Sequence, residues 1–151
     1  MAENVITKTG STKKDSYQKY LANIALYSIG LDSINANLNR EAFWDAHKES
    51  EPSITNYVSS RYQVSDFDED HFDMEASLLF QMRDTSGNAF LTIEMTYFAH
   101  FHPKSGKFDR KLSEQFAQGE ARLIFWPYFR QATSDMSARM HIPPVTLPLS
   151  V

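Results

Sequence analysis

The stretch Arg122-Leu-Ile-Phe-Trp-Pro-Tyr-Phe-Arg130, followed after a polar interval by Met136-Ser-Ala-Arg-Met-His-Ile-Pro-Pro-Val-Thr-Leu-Pro-Leu149, decides the fold of this chain. From about Asp109 onward, Leu112, Phe116, Leu123, Trp126, Phe129, Met136 and Met140 recur at helical spacing. Pro127 sits inside that run. A proline removes one helical hydrogen bond and crowds the preceding turn, so a kink is expected near Leu123 to Pro127. The residue before a proline avoids the helical region, so the helix ends before Pro143. An apolar tail then follows the helix stop.

Upstream, the period is two. Phe72, Met74, Ala76, Leu78, Phe80 and Met82 alternate with Asp73, Glu75, Ser77, Gln81 and Arg83, Leu79 being the exception. One face of this strand is therefore buried and the other wet. Asp84-Thr-Ser-Gly-Asn88 is a hairpin signal. The return strand puts Leu91, Ile93, Met95, Tyr97, Ala99 and Phe101 on one face, and His102-Pro-Lys-Ser-Gly106 ends it. Another strand is read over Ile54–Val64, and a first strand over Ile24–Asn35 after a short helical turn. Residues 36–52 read as a loop with a short amphipathic piece around Phe43 and Trp44, and residues 1–16 as a flexible polar tail. The expected fold class is α+β: one domain over residues 17–151, with a four-stranded antiparallel sheet followed by one long kinked helix. One helix cannot cover such a sheet and bury its own wide aromatic face, so an oligomer is expected.

Composition narrows the function. The 151 residues have an ordinary apolar fraction of 42% and suit a single core. The net charge is −4, with basic residues scattered among acids, which argues against nucleic acid as a partner and fits an unfolded or basic one. The absence of cysteine excludes disulfides, thiolate metal sites and cysteine nucleophiles. The first residues lack the apolar core of a signal peptide, and no stretch suits membrane insertion; the reading is a cytoplasmic protein. No phosphate-cradling loop or nucleophile elbow is present.

Two motifs at the right separation, after the right strand order, resemble the SecB family of export chaperones. Phe125, Trp126, Pro127, Tyr128 and Arg130 match its Phe-Pro-Tyr-x-Arg helix, and Arg139, Ile142, Pro143, Val145, Leu147 and Pro148 match the helix end and tail. The likeness is sharpest over residues 122–149 and only topological over roughly 24–102. It implies an ATP-independent holdase that forms tetramers as dimers of dimers, uses no cofactor, and binds unfolded or precursor polypeptides in apolar grooves. Two departures stand out. Met140 replaces the usual glycine after Arg139, which alters the helix cap. The family's C-terminal lid helix and motor-docking tail have no counterpart before Val151. The holdase role thus carries over better than hand-off to the export motor, and an antitoxin-protecting role in a toxin–antitoxin system is the alternative.

A holdase groove needs adaptable apolar side chains, which methionines and aromatics supply. The groove candidates are Phe125, Trp126, Phe129 and Met136 on the helix and Ile142, Val145, Leu147 and Leu149 on the tail. Tyr128 and Arg130 are expected to pack and pair within the fold. For each groove residue the competing role is core or oligomer packing. The best enzyme hypothesis is a metal site. His100 and His102 share one side of a strand with Glu94 not far off, and two imidazoles with a carboxylate suit zinc. An exposed strand end outweighs it, so no metal and no catalytic residue is assigned. His47, His71 and His141 read as surface residues. The acidic run Asp66, Asp68, Glu69 and Asp70 reads as a solvated turn rather than a calcium loop. An interaction module for one folded partner is the third class.

Overall fold

A computed structural model describes residues 8–48 and 53–149. The elements are α1 (Lys8–Asn23), β1 (Ile24–Leu38), α2 (Arg40–His47), β2 (Thr55–Asp68), β3 (His71–Arg83), β4 (Ala89–Pro103), α3 (Arg110–Gln118) and α4 (Ala121–Arg139). The strands form one antiparallel sheet in the order β1-β4-β3-β2. The α+β class, with the sheet before the main helices, is as the periodicities imply.

The hairpin between β3 and β4 is the centre of the sheet. Asp84 closes its turn: its carboxylate accepts from the backbone N–H groups of Ser86 and Asn88, each at 2.9 Å, and Gly87 supplies the left-handed step at φ 82°. On the helix-facing side Phe72, Met74, Ala76, Leu78 and Phe80 lie beside Leu91, Ile93, Met95, Tyr97, Ala99 and Phe101, all buried. Leu79, the break in alternation, takes the other face and is half-buried. Helices α3 and α4 cover this apolar sheet through Phe116, Ala121, Phe125 and Phe129.

Three expectations are corrected. The polar tail was read to residue 16, yet α1 begins at Lys8; residues 1–7 lie outside the described residues. Its composition favours no helix, and docking supplies the stability instead. Tyr20 is buried against Phe108 and hydrogen-bonds with Ser113, while the Tyr17 hydroxyl donates to Glu120. Burial pushes the Tyr20 phenol up to about 12. The supposed loop after Asn35 is also more ordered: β1 runs to Leu38, and Asn39 caps α2 by accepting from the Ala42 N–H at 3.1 Å. Residues 49–52 of that loop lie outside the described residues.

Finally, the single kinked helix is two helices. The interruption falls at Gly119–Glu120, where Gly119 leaves helical geometry at φ −123°, ψ −90°. Helix α4 then runs through Pro127. Pro127 and Leu123 are both exposed, so the Leu123 carbonyl that lacks its proline partner has access to water.

Candidate functional site

The chain reverses at the end of α4 and returns along it. The reversal is a Schellman cap: the Ile142 N–H donates to the Ser137 carbonyl (3.2 Å) and the His141 N–H to the Ala138 carbonyl (3.1 Å). His141 takes the left-handed position at φ 55°. The special residue thus lies one place beyond Met140, and the position that usually favours glycine carries an imidazole. Arg40 of α2 donates to the Met140 carbonyl at 2.8 Å, which ties α2 to the same corner.

The returning tail is held rung by rung. Ser137 Oγ donates to the Thr133 carbonyl and accepts from the Val145 N–H at 3.0 Å. Arg130 Nε donates to the Leu147 carbonyl at 3.2 Å, and Trp126 Nε1 to the Pro148 carbonyl at 2.7 Å. Thr133 and Ser137 are small and fully buried, which leaves room for Val145 and Leu147 to press onto the helix. Two donors, Trp126 and Arg130, and one acceptor, Ser137, thus satisfy backbone groups of the tail where its side chains are buried.

This path decides the fate of the eight groove candidates. Phe125 and Phe129 are fully buried with their rings against Tyr62, and Leu147 is equally enclosed. Trp126, Ile142 and Val145 are buried too. In the folded chain these six are packed by the protein itself, because the tail that was expected to be uncovered lies on α4. Met136 is half-buried and lines a shallow depression of about 350 Å³ on the β1 side of α4, with Leu31 and Ile34. Leu149 alone is open, at 81% exposure.

Leu149 stands at the mouth of a larger cleft of about 550 Å³ on the β2 side of α4. Its walls are Ser60–Gln63 of β2, Gln118, and the α4 residues Arg122, Leu123, Trp126, Pro127 and Arg130. Leu123 is 70% exposed there. Among the described residues strand β2 is an edge of the sheet, and its outer row of backbone groups has no neighbouring strand. Gln118 reaches the Tyr62 carbonyl at 3.2 Å. Burial raises the Tyr62 phenol, while Ser60 and the Arg122 charge pull it back. The cleft therefore brings apolar side chains and guanidinium groups beside a sheet edge whose Tyr62 carbonyl is taken by Gln118. Leu123, Arg122 and the β2 residues were absent from the sequence-derived groove. Leu123 belongs by spacing to the apolar run with Trp126 and Phe129, yet the fold leaves it in water.

The histidines assemble differently from the sequence reading. His100 and His102 approach through their Nε2 atoms at 2.9 Å, and the His71 ring centroid lies 5.2 Å from that of His100. His100 Nδ1 bonds to Asp73. Glu94 pairs with Leu79 and Asn35, further along the sheet. Tyr27 lies edge-on to both His100 and His102. Among the described residues, no group of three or more His, Asp or Glu side chains is arranged to hold a metal. The other two histidines are structural rather than idle: His47 stacks on Phe43 and bonds to its carbonyl, and His141 forms the cap.

Sheet order, a two-helix cover and a returning tail define the SecB-like fold class. The chain overlays the SecB-like chaperone of Mycobacterium tuberculosis, solved in complex with a ChAD peptide from the HigA1 antitoxin, with a TM-score of 0.70 at 19% identity; the match covers 90% of this chain and 97% of that one. A Streptococcus agalactiae protein of unknown function aligns more loosely, with a TM-score of 0.47 at 13% identity over 83% of this chain and 97% of that one. No protein-family model and no curated protein matches the sequence. Among the described residues no helix is long and apolar enough to cross a membrane.

Proposed function

We propose that the chain is an ATP-independent holdase, a cytoplasmic chaperone that binds unfolded or precursor polypeptides and catalyses no reaction. The observation that carries this reading is the cleft between α4 and β2, where the exposed Leu123 and Leu149 lie next to an unpaired strand edge. An unfolded client exposes apolar side chains and unsatisfied backbone groups. An extended segment laid along β2 places both needs in one site, with backbone pairing giving affinity and the leucines giving apolar burial. Each client side chain that is buried contributes about 1.5–3 kcal/mol, partly offset by ordering the client.

Homo-oligomerisation, as a tetramer built from two dimers, belongs to the same proposal. Leu26 and Leu31 on the helix side of the β1 edge, and Tyr27 and Phe98 on the opposite face, are exposed in the single chain. Several clefts on one assembly would hold one long client more tightly than each alone. Delivery of clients to an export motor is the narrower form of the proposal. The second reading, a chaperone dedicated to one antitoxin, is favoured by the antitoxin peptide held by the Mycobacterium protein of like fold.

The test is suppression of aggregation. An unfolded model client is diluted into buffer containing the protein and no ATP, with light scattering followed and oligomer mass recorded. Suppression at near-stoichiometric oligomer is the expected result. A folded oligomer that leaves scattering unchanged for every model client, but binds one antitoxin segment, would replace general holding with the dedicated role.

A further inference from the structure

The sheet face turned away from the helices carries a group of side chains that the client cleft does not use. By register, Asp66, Asp73, His100 and Ser28 form one row across the four strands. Two residues on toward the same end of the sheet, His71 pairs with Asp68 and His102 with Ala25. Three imidazoles thus stand among three carboxylates on one face, and no lysine or arginine occupies these positions. The rings are close: the centroids of His100 and His102 lie 4.7 Å apart, and that of His71 lies 5.2 Å from His100 and 6.2 Å from His102. Tyr27, at the bulge of β1, is edge-on to both His100 and His102. His100 Nδ1 bonds to Asp73, and the two side chains keep only 25% and 17% of their surface in water, which shields that bond from competing solvent.

We propose that His100 and His102 chelate one divalent transition cation, of the zinc or copper class, through their Nε2 atoms. A carboxylate only accepts, so Asp73 fixes the proton of the neutral His100 ring on Nδ1 and leaves a lone pair on Nε2. That lone pair meets His102 Nε2 at 2.9 Å, where His102 supplies the proton between them. A cation takes the place of this proton, which moves to His102 Nδ1. Two nitrogens on one tetrahedral zinc, each at about 2.0–2.1 Å, stand roughly 3.3 Å apart, so a small opening of the 2.9 Å pair admits the ion. The carboxylate on the far nitrogen is the outer support that orients a ligating imidazole and raises its basicity. Imidazole nitrogens suit zinc, copper and nickel, whereas calcium and magnesium take oxygen ligands. His71, whose Nε2 lies 3.8 Å from Asp66, walls the site rather than completing it. Among the described residues no set of three ligands is in place, so water or a second molecule fills the other positions and the ion exchanges readily. The site shares no residue with the client cleft and does not depend on the holdase reading.

Calorimetric titration of the full chain with Zn2+, and with Mg2+ as the hard-ion control, tests this. The expected result is one zinc per chain and no magnesium at about pH 7.5, with zinc affinity falling toward about pH 5.5 as protons take the same nitrogens. His102→Gln should abolish binding. Asp73→Asn, which keeps the shape but removes the charge, should weaken it roughly tenfold or more. His141→Asn, at the helix cap far along the chain, should leave it unchanged. Circular dichroism checks that the variants fold, and nitrogen NMR of the histidine rings in the unaltered chain gives a reading that needs no variant. Zinc should shift Nε2 of His100 and His102 and leave His47 and His141 in place. No binding, equal binding of magnesium, unchanged affinity in His102→Gln, or ring shifts that miss His100 and His102 would each overturn the site. Aggregation suppression measured with a chelator present keeps the two readings apart, since either can then fail while the other stands.

Discussion

Phe129 and Leu123 share helix α4, and Leu147 and Leu149 share one short tail, yet their surroundings are opposite. Phe129 and Leu147 are sealed inside, whereas Leu123 and Leu149 are mostly in water. Residue type does not separate the two rows, since leucine occurs in both. The return path of the tail separates them: Leu147 is pressed inward beside α4, whereas Leu149, past the carbonyls held by Arg130 and Trp126, stands with Leu123 in the wall of the cleft beside β2. The first row holds the fold together, and the second is free to meet a partner.

That division can be broken at its strongest point first. Phe129→Ala removes a fully buried ring from among Tyr62, Tyr97 and Trp126, and should cost about 3–5 kcal/mol in urea unfolding. A loss under about 1 kcal/mol would show that this row is not core. Ser137→Ala should cost about 1–3 kcal/mol, because the Val145 N–H loses its buried acceptor. Faster amide exchange at Val145 and Leu147 would accompany it, and unchanged exchange would mean that other contacts hold the tail.

The open row should behave in the reverse way. Leu123→Ser combined with Leu149→Ser should leave stability within about 0.5 kcal/mol while weakening client binding by roughly tenfold or more. Unchanged affinity would move the client to another surface, such as the Met136 depression. The smallest effect belongs to the cap. His141→Gly removes the left-handed strain of a non-glycine residue at φ 55°, and should add up to about 1 kcal/mol of stability, visible as a slightly raised melting temperature. A fall would show that the imidazole makes a contact worth more than the relieved strain.

What the sequence disclosed follows from which signals are local. Strands β3 and β4 and their turn were legible because alternation and Asp84–Asn88 act over a few residues. Helix α1 was not, since its stability comes from Tyr20 meeting Phe108 and Ser113 far along the chain. Pro127 is the loudest local signal for a kink, yet the interruption between α3 and α4 falls at Gly119. The site was the least legible part. Six of the eight groove candidates on α4 and the tail are buried in the folded chain. Their burial depends on the tail folding back, a fact held in hydrogen bonds from Ser137, Arg130 and Trp126 rather than in any periodicity. The β2 edge beside the cleft depends on sheet order, which no single strand encodes.

Sheet order also governs how this protein must be made. Strand β1 pairs only with β4, so the segment Ile24–Leu38 leaves the ribosome long before Ala89–Pro103 exists to receive it. At about 5–20 residues per second, that wait is roughly 3–13 s. During it Leu26, Tyr27, Ile29 and Leu31 are presented as an unpaired apolar strand, while β2 and β3 can already close their own hairpin. A protein proposed to shelter unfinished chains thus passes through an interval in which it is one, and synthesis at high concentration would be its most aggregation-prone moment.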